Sequence, residues 1–237
     1  MYRFFKMLVG IALLPLAWAL SRAVYRLYQT ALAETVVTNA WEAWALPIGF
    51  LLWILIFLFL PKPKRAYVFG HELTHALWGI LMGARVGGMK VHKDSGKIEL
   101  TQTNFLITLA PYFFPFYTAL VVALYFLLDL LVDLSAYRLI FLGLVGFTWS
   151  FHLTFTLHML TIYQPDVREH GRIFSFVVIY LMNLLFIGLW IALTGTPRLL
   201  TLWSAFLHES NVAYGFVFYR LFLLKRIVGE WIIGLSG

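Results

Sequence analysis

The sequence predicts an all-α polytopic membrane protein of about six transmembrane helices, with a small membrane-associated β-hairpin between two of them. Three observations lead there. Of 237 residues, 62% are hydrophobic and only 12% charged, against roughly a half and a quarter in soluble domains. The apolar residues gather into runs close to the ~20 that cross hydrocarbon as a helix. The 18 Lys and Arg outnumber the 11 Asp and Glu and lie in short gaps between those runs, where they suit anionic headgroups better than nucleic acid. The expectation is one integral membrane domain over 1–237, multi-pass and in the cell membrane, with the lipid bilayer as partner and no nucleic acid. The absence of Cys removes disulfides, thiolate zinc ligands, iron–sulfur clusters and Cys nucleophiles together, so a metal has to be held by His, Asp or Glu.

Phe4 to Leu20 is the first span. It is longer than the apolar region of a signal peptide, and no small-x-small site precedes Arg22 and Arg26. Ser21 to Glu42, with Glu34 and Glu42, reads as a loop or interfacial helix. Trp44 to Leu60 is the second span, ended by Pro61-Lys62-Pro63-Lys64-Arg65, which cannot continue a helix. Ala66 to Ala84 is the third, interrupted by His71, Glu72 and His75. In the polar stretch Arg85 to Gln102, Val86, Met89 and Val91 precede Asp94-Ser95-Gly96 and Ile98 and Leu100 follow it, the pattern of a hairpin. Phe105 to Leu128 spans with a kink at Pro111 and Pro115, and Tyr137 to Tyr163 and Ile173 to Leu193 complete the six. Leu199 to Leu207 and Val212 to Phe218 are too short to cross and are separated by His208-Glu209-Ser210-Asn211, so 199–237 reads as interfacial or re-entrant helices. The 21 Trp and Tyr fit interfacial belts.

Chemistry concentrates in His71-Glu72-Leu73-Thr74-His75. Residues four apart on a helix are offset by roughly 40° and about 6 Å, so both imidazoles can reach one tetrahedral ion. Glu72, beside the first imidazole, can take a proton from a water that zinc makes more acidic. With 7 His in the chain, a shuffled sequence would hold this pattern with a probability of roughly half a per cent. Polar groups within an apolar run also need compensation, which a cation supplies. The plainer alternative is three polar side chains bonded to neighbouring helices across a wet cavity.

A catalytic zinc needs a third protein ligand. Asp166, in Gln164-Pro165-Asp166 after an apolar run, sits where Pro165 favours extended backbone before it and a helix start after it. An ordinary helix cap would look the same, and spacing alone leaves the two even. His152, His158 and His170 compete, although His152 and His158 are six apart and face different ways on a helix. Asp129 and Asp133 read as interface markers, and His92 as a surface residue of the hairpin.

The segment Phe69-Gly70-His71-Glu72-Leu73-Thr74-His75-Ala76, the Gly87-Gly88 and Ser95-Gly96 hairpin, the Leu109-Ala110-Pro111-Tyr112 span and the downstream Pro165-Asp166 together resemble the site-2 protease family of intramembrane zinc metallopeptidases, over roughly residues 66–185. The resemblance implies a metallopeptidase-like core there. It implies Zn2+ held by His71, His75 and Asp166, Glu72 as general base, and a substrate that is a membrane-spanning helix cut at an unwound peptide bond. This sequence departs from the family in having Gln164-Pro165-Asp166-Val167 rather than Leu-Asp-Gly, no evident Asn-x-x-Pro segment and no PDZ-like stretch, which fits a compact, divergent branch. Two alternatives stand beside proteolysis: a non-proteolytic membrane metalloenzyme acting on lipid, and a catalytically inactive scaffold that retains the metal site.

Overall fold

A computed structural model of the chain describes residues 2–38, 40–92, 95–194 and 199–235, and it is mostly helical. In chain order, α1 (Tyr2–Ala12) and α2 (Leu14–Thr38) form one apolar stretch, and α3 (Ala40–Phe59) follows it. α4 (Lys64–Leu81) starts at Pro63 and ends where Gly83 takes a positive φ of 82°, a turn that favours Gly because it has no Cβ. β1 (Val86–Val91) and β2 (Gly96–Leu100) pair antiparallel, as the alternation about Ser95-Gly96 predicts. α5 (Phe105–Leu109), a 3-10 turn (Ala110–Tyr112) and α6 (Phe116–Asp129) come next. They are followed by α7 (Arg138–Thr161), α8 (Pro165–Glu169), α9 (Arg172–Thr194) and α10 (Leu199–Leu235).

Among the described residues, four helical stretches are long and apolar enough to cross a membrane: Tyr2–Glu34, Trp41–Phe59, Ser135–Thr161 and Arg172–Ala192. A fifth arises if Phe105–Tyr112 and Phe116–Asp129, bent by 82°, count as one broken span. The expected count was about six. α4 makes the difference: Lys64, Arg65, Glu72 and the two histidines dilute its apolar residues.

The two polar stretches expected to interrupt helices do not. α2 continues through Ser21 to Thr38. The break expected at His208-Asn211, between two short C-terminal helices, lies inside the 37-residue α10. Glu209 there is 2% exposed and faces α2, where Arg26 Nη2 comes to 2.6 Å of one carboxylate oxygen and Arg22 Nε to 3.7 Å of the other. A carboxylate can stay inside this helix at such burial because two cations on the neighbouring helix compensate it.

α3 and α7 meet backbone to backbone. A methyl group at Gly49 would overlap the Gly143 carbonyl, and one at Gly146 would overlap that of Leu46, the small-residue packing that apolar helices use in lipid. Beyond this contact Trp53, Tyr67, Val68, Phe151 and Phe155 form one core cluster, which joins α3 and α7 to α4. A second core gathers Leu109, Tyr112, Phe113, Val167, Phe174 and Val178, which fixes the bent segment against α8 and α9.

Candidate metal centre

The site is assembled from three elements. α4 supplies His71 and His75, four residues apart on one face, with ring centroids 4.9 Å apart. α8 begins with Pro165 at its first position, where a missing N–H does no harm, and so brings Asp166 into its first turn. Asp166 Oδ2 lies 3.5 Å from His71 Nε2 and 3.8 Å from His75 Nε2. One donor atom from each of the three residues falls within 4.8 Å of the others. Of the sequence-derived candidates, His71, His75 and Asp166 come together. His152 and His158, both on α7, and His170 stay outside the cluster.

Outer groups fix the rings. His75 Nδ1 is 2.9 Å from the Ile107 carbonyl, which accepts its N–H and leaves Nε2 as the free lone pair. Ile107 is held in place by Asn104, whose side chain accepts from the backbone N–H groups of Leu106 and Ile107 and caps α5. His71 Nδ1 lies 3.4 Å from the Tyr67 hydroxyl. The Tyr112 hydroxyl is 3.0 Å from both Asp166 Oδ2 and Gln164 Oε1, and Asn183 on α9 donates to the Tyr112 carbonyl at 3.0 Å. In the sequence Tyr112 stands only as part of a kinked span, and Asn183 carries no signal for the site; their places depend on a fold that carries residues 112, 166 and 183 together. The two prolines flanking the turn were the available signal.

Burial pushes the Asp166 carboxyl up, but the adjacent His71 and His75 rings outweigh it and hold the group below the usual carboxylate range. Asp166 thus stays a carboxylate. Glu72 is buried at 6% exposure directly beneath Gly96 of β2, where an added methyl group would collide with its carboxylate. Glu72, His71, His75 and Asp166 all face a cavity of about 920 Å3 roofed by Ser95 to Leu100.

The donor set fits a zinc ion. Tetrahedral donors about 2.0–2.1 Å from zinc stand roughly 3.4 Å apart, and two imidazole nitrogens with one carboxylate leave the fourth position open. The observed 3.5 and 3.8 Å are close to that separation. Both histidines also have their outer nitrogen next to a hydrogen-bonding group, as ligating histidines usually do.

No family model, no curated protein and no solved structure matches this chain.

Proposed function

We propose that the protein is a membrane-embedded zinc metallopeptidase of the site-2 protease type, hydrolysing a peptide bond in or near a membrane-spanning substrate segment. The observation that carries this reading is the approach of Asp166, 91 positions after His75 in the chain, to the free nitrogens of both motif histidines, with Glu72 in the same cavity.

His71, His75 and Asp166 would hold the ion. Bound zinc supplies Lewis acidity, which lowers the pKa of a water and polarises a carbonyl. Glu72 accepts the proton from the attacking water and returns it to the leaving nitrogen. Burial under Gly96 keeps that carboxylate poor in competing water. Tyr112 holds Asp166 by its hydroxyl, and the Ile107 carbonyl holds His75. The cavity is half polar in its lining and reaches the hairpin, which offers water a route to the site. β2 presents a strand against which an unwound substrate segment can pair, and Gly, Pro or Asn in the substrate helix favours that unwinding.

The test is cleavage of a membrane-spanning substrate by the purified chain, with zinc measured alongside. Glu72→Gln is expected to lower cleavage by at least a hundredfold while zinc content stays near one per chain. Cleavage unchanged in Glu72→Gln removes the proposed base. A pair of irons in place of one zinc would favour oxidation of lipid, and a chain that keeps one zinc but cleaves no membrane-spanning substrate would favour the inactive scaffold that retains the metal site.

A further inference from the structure

We propose that the crevice between α7 and α9 binds an anionic phospholipid, with the phosphate at Arg168 and Arg172 and an acyl chain between the two helices. α9 packs chiefly on α1 and α2. Between it and α7 lies a crevice of about 570 Å3, lined among others by Leu153, Leu157, Leu160, Phe176 and Ile187. At one end it adjoins a second cavity of about 290 Å3 that shares Leu160 and Phe176 with it and adds Gln164, Arg168 and Arg172. An apolar slot that leads to two guanidinium groups has the chemistry of a lipid, tail first and phosphate last.

The depth agrees. The cationic cavity lies where α7 has ended at Thr161 and α9 begins at Arg172, at the ends of two stretches apolar enough to span, the level at which headgroups meet protein. Arg168 stacks over the Tyr163 ring at 4.6 Å, which sets its plane, and a guanidinium fork matches phosphate oxygens. Both Arg side chains are exposed, and no ion pair among the described residues engages either. A membrane-spanning peptide is a poorer occupant of the slot: a helix about 10 Å wide and 30 Å long displaces roughly 2,000 Å3, several times this space, and has no need of two cations at one end. The site does not depend on the metal. It does adjoin it, since Arg168 stands two residues from Asp166 on the five-residue α8.

Native mass spectrometry of the delipidated full chain, offered phosphatidylglycerol and phosphatidylcholine in equal amounts, tests this. One phosphatidylglycerol per chain is expected, preferred roughly thirtyfold, the gain from two cations beside a headgroup of net negative charge over a zwitterionic one. The preference should vanish in Arg168→Gln/Arg172→Gln. Leu157→Trp, which fills the slot and leaves both cations, should lower retention of both lipids at least tenfold. Equal retention of the two lipids, or a preference that survives the double Arg variant, would overturn the proposal. So would displacement of the lipid by free glycerol phosphate, which would mark an anion site without a tail, or by a membrane-spanning peptide that Leu157→Trp also excludes.

Discussion

Three groups converge on Asp166 Oδ2: the Nε2 atoms of His71 and His75 and the hydroxyl of Tyr112. On the proposed function, the phenol would act on metal affinity through the carboxylate it donates to. Tyr112→Phe should weaken zinc binding about tenfold to a hundredfold, the usual effect of losing such an outer hydrogen bond, and chelator titration of the purified chain measures it. Unchanged affinity would mean that Asp166 keeps its place without the phenol. His170 supports a different expectation. It is buried, its Nδ1 sits 2.6 Å from Lys6 Nζ, and burial first and then Lys6 lower its pKa from the ordinary imidazole value. The unfolded chain takes up this proton near pH 6.5, while the native ring takes it up only at lower pH. The native state therefore loses stability as pH falls through that window. A thermal midpoint that drops less between about pH 7 and pH 5 in His170→Gln than in the unaltered chain would bear this out; parallel curves would not. The two motif histidines were readable in the sequence because helix spacing is local. Asp166 was readable only as cap or ligand, since the choice depends on where α8 docks. The Ile107 carbonyl was not readable at all, because any residue type supplies one.

Among the elements, α3 and α7 show most directly how sequence becomes packing. Gly49 opposes Gly143, and Leu46 opposes Gly146, with no room for a side chain between the backbones. Gly49→Val should cost about 1–3 kcal/mol or more through overpacking, visible as a lower thermal midpoint in detergent. An unchanged midpoint would show that the pair can separate freely. The spans with few charges were legible from hydropathy alone. The hairpin was legible from its alternation; of the expected turn Asp94-Ser95-Gly96, Asp94 lies outside the described residues and Gly96 already opens β2. The helical continuation of α2 and α10 was not: Glu34 and Glu42 mark the first segment as polar and His208-Glu209 the second, and the pairing of Glu209 with Arg22 and Arg26 across the two helices exists only in the fold. The bend of 82° between α5 and α6 is in keeping with Pro111 and Pro115, and at the bend Asn183 of α9 donates to the Tyr112 carbonyl, a contact no local reading supplies.

At the scale of the molecule, the candidate metal ligands lie on α4 and α8, 91 positions apart from His75 to Asp166, so an ion held by them would join those two elements. Binding to the native state alone stabilises it in proportion to the logarithm of metal excess, about 4 kcal/mol at a thousandfold over the dissociation constant. Chelation should therefore lower the thermal midpoint of the unaltered chain by several degrees and leave that of Asp166→Ala where it was. Equal responses of the two would place the metal elsewhere. A mostly helical membrane protein was evident from composition. The number of crossings was not, because a helix that carries polar ligands and a helix broken at two prolines both blur the hydropathy signal on which such counts rest.

The glycine contact between α3 and α7 bears on motion. Helices seated backbone on backbone cannot slide past one another without collision, so they act as a fixed wall. Of this pair only Met159, near the end of α7, lines the cavity, so how far the cavity can widen is left to its other sides, β2 among them.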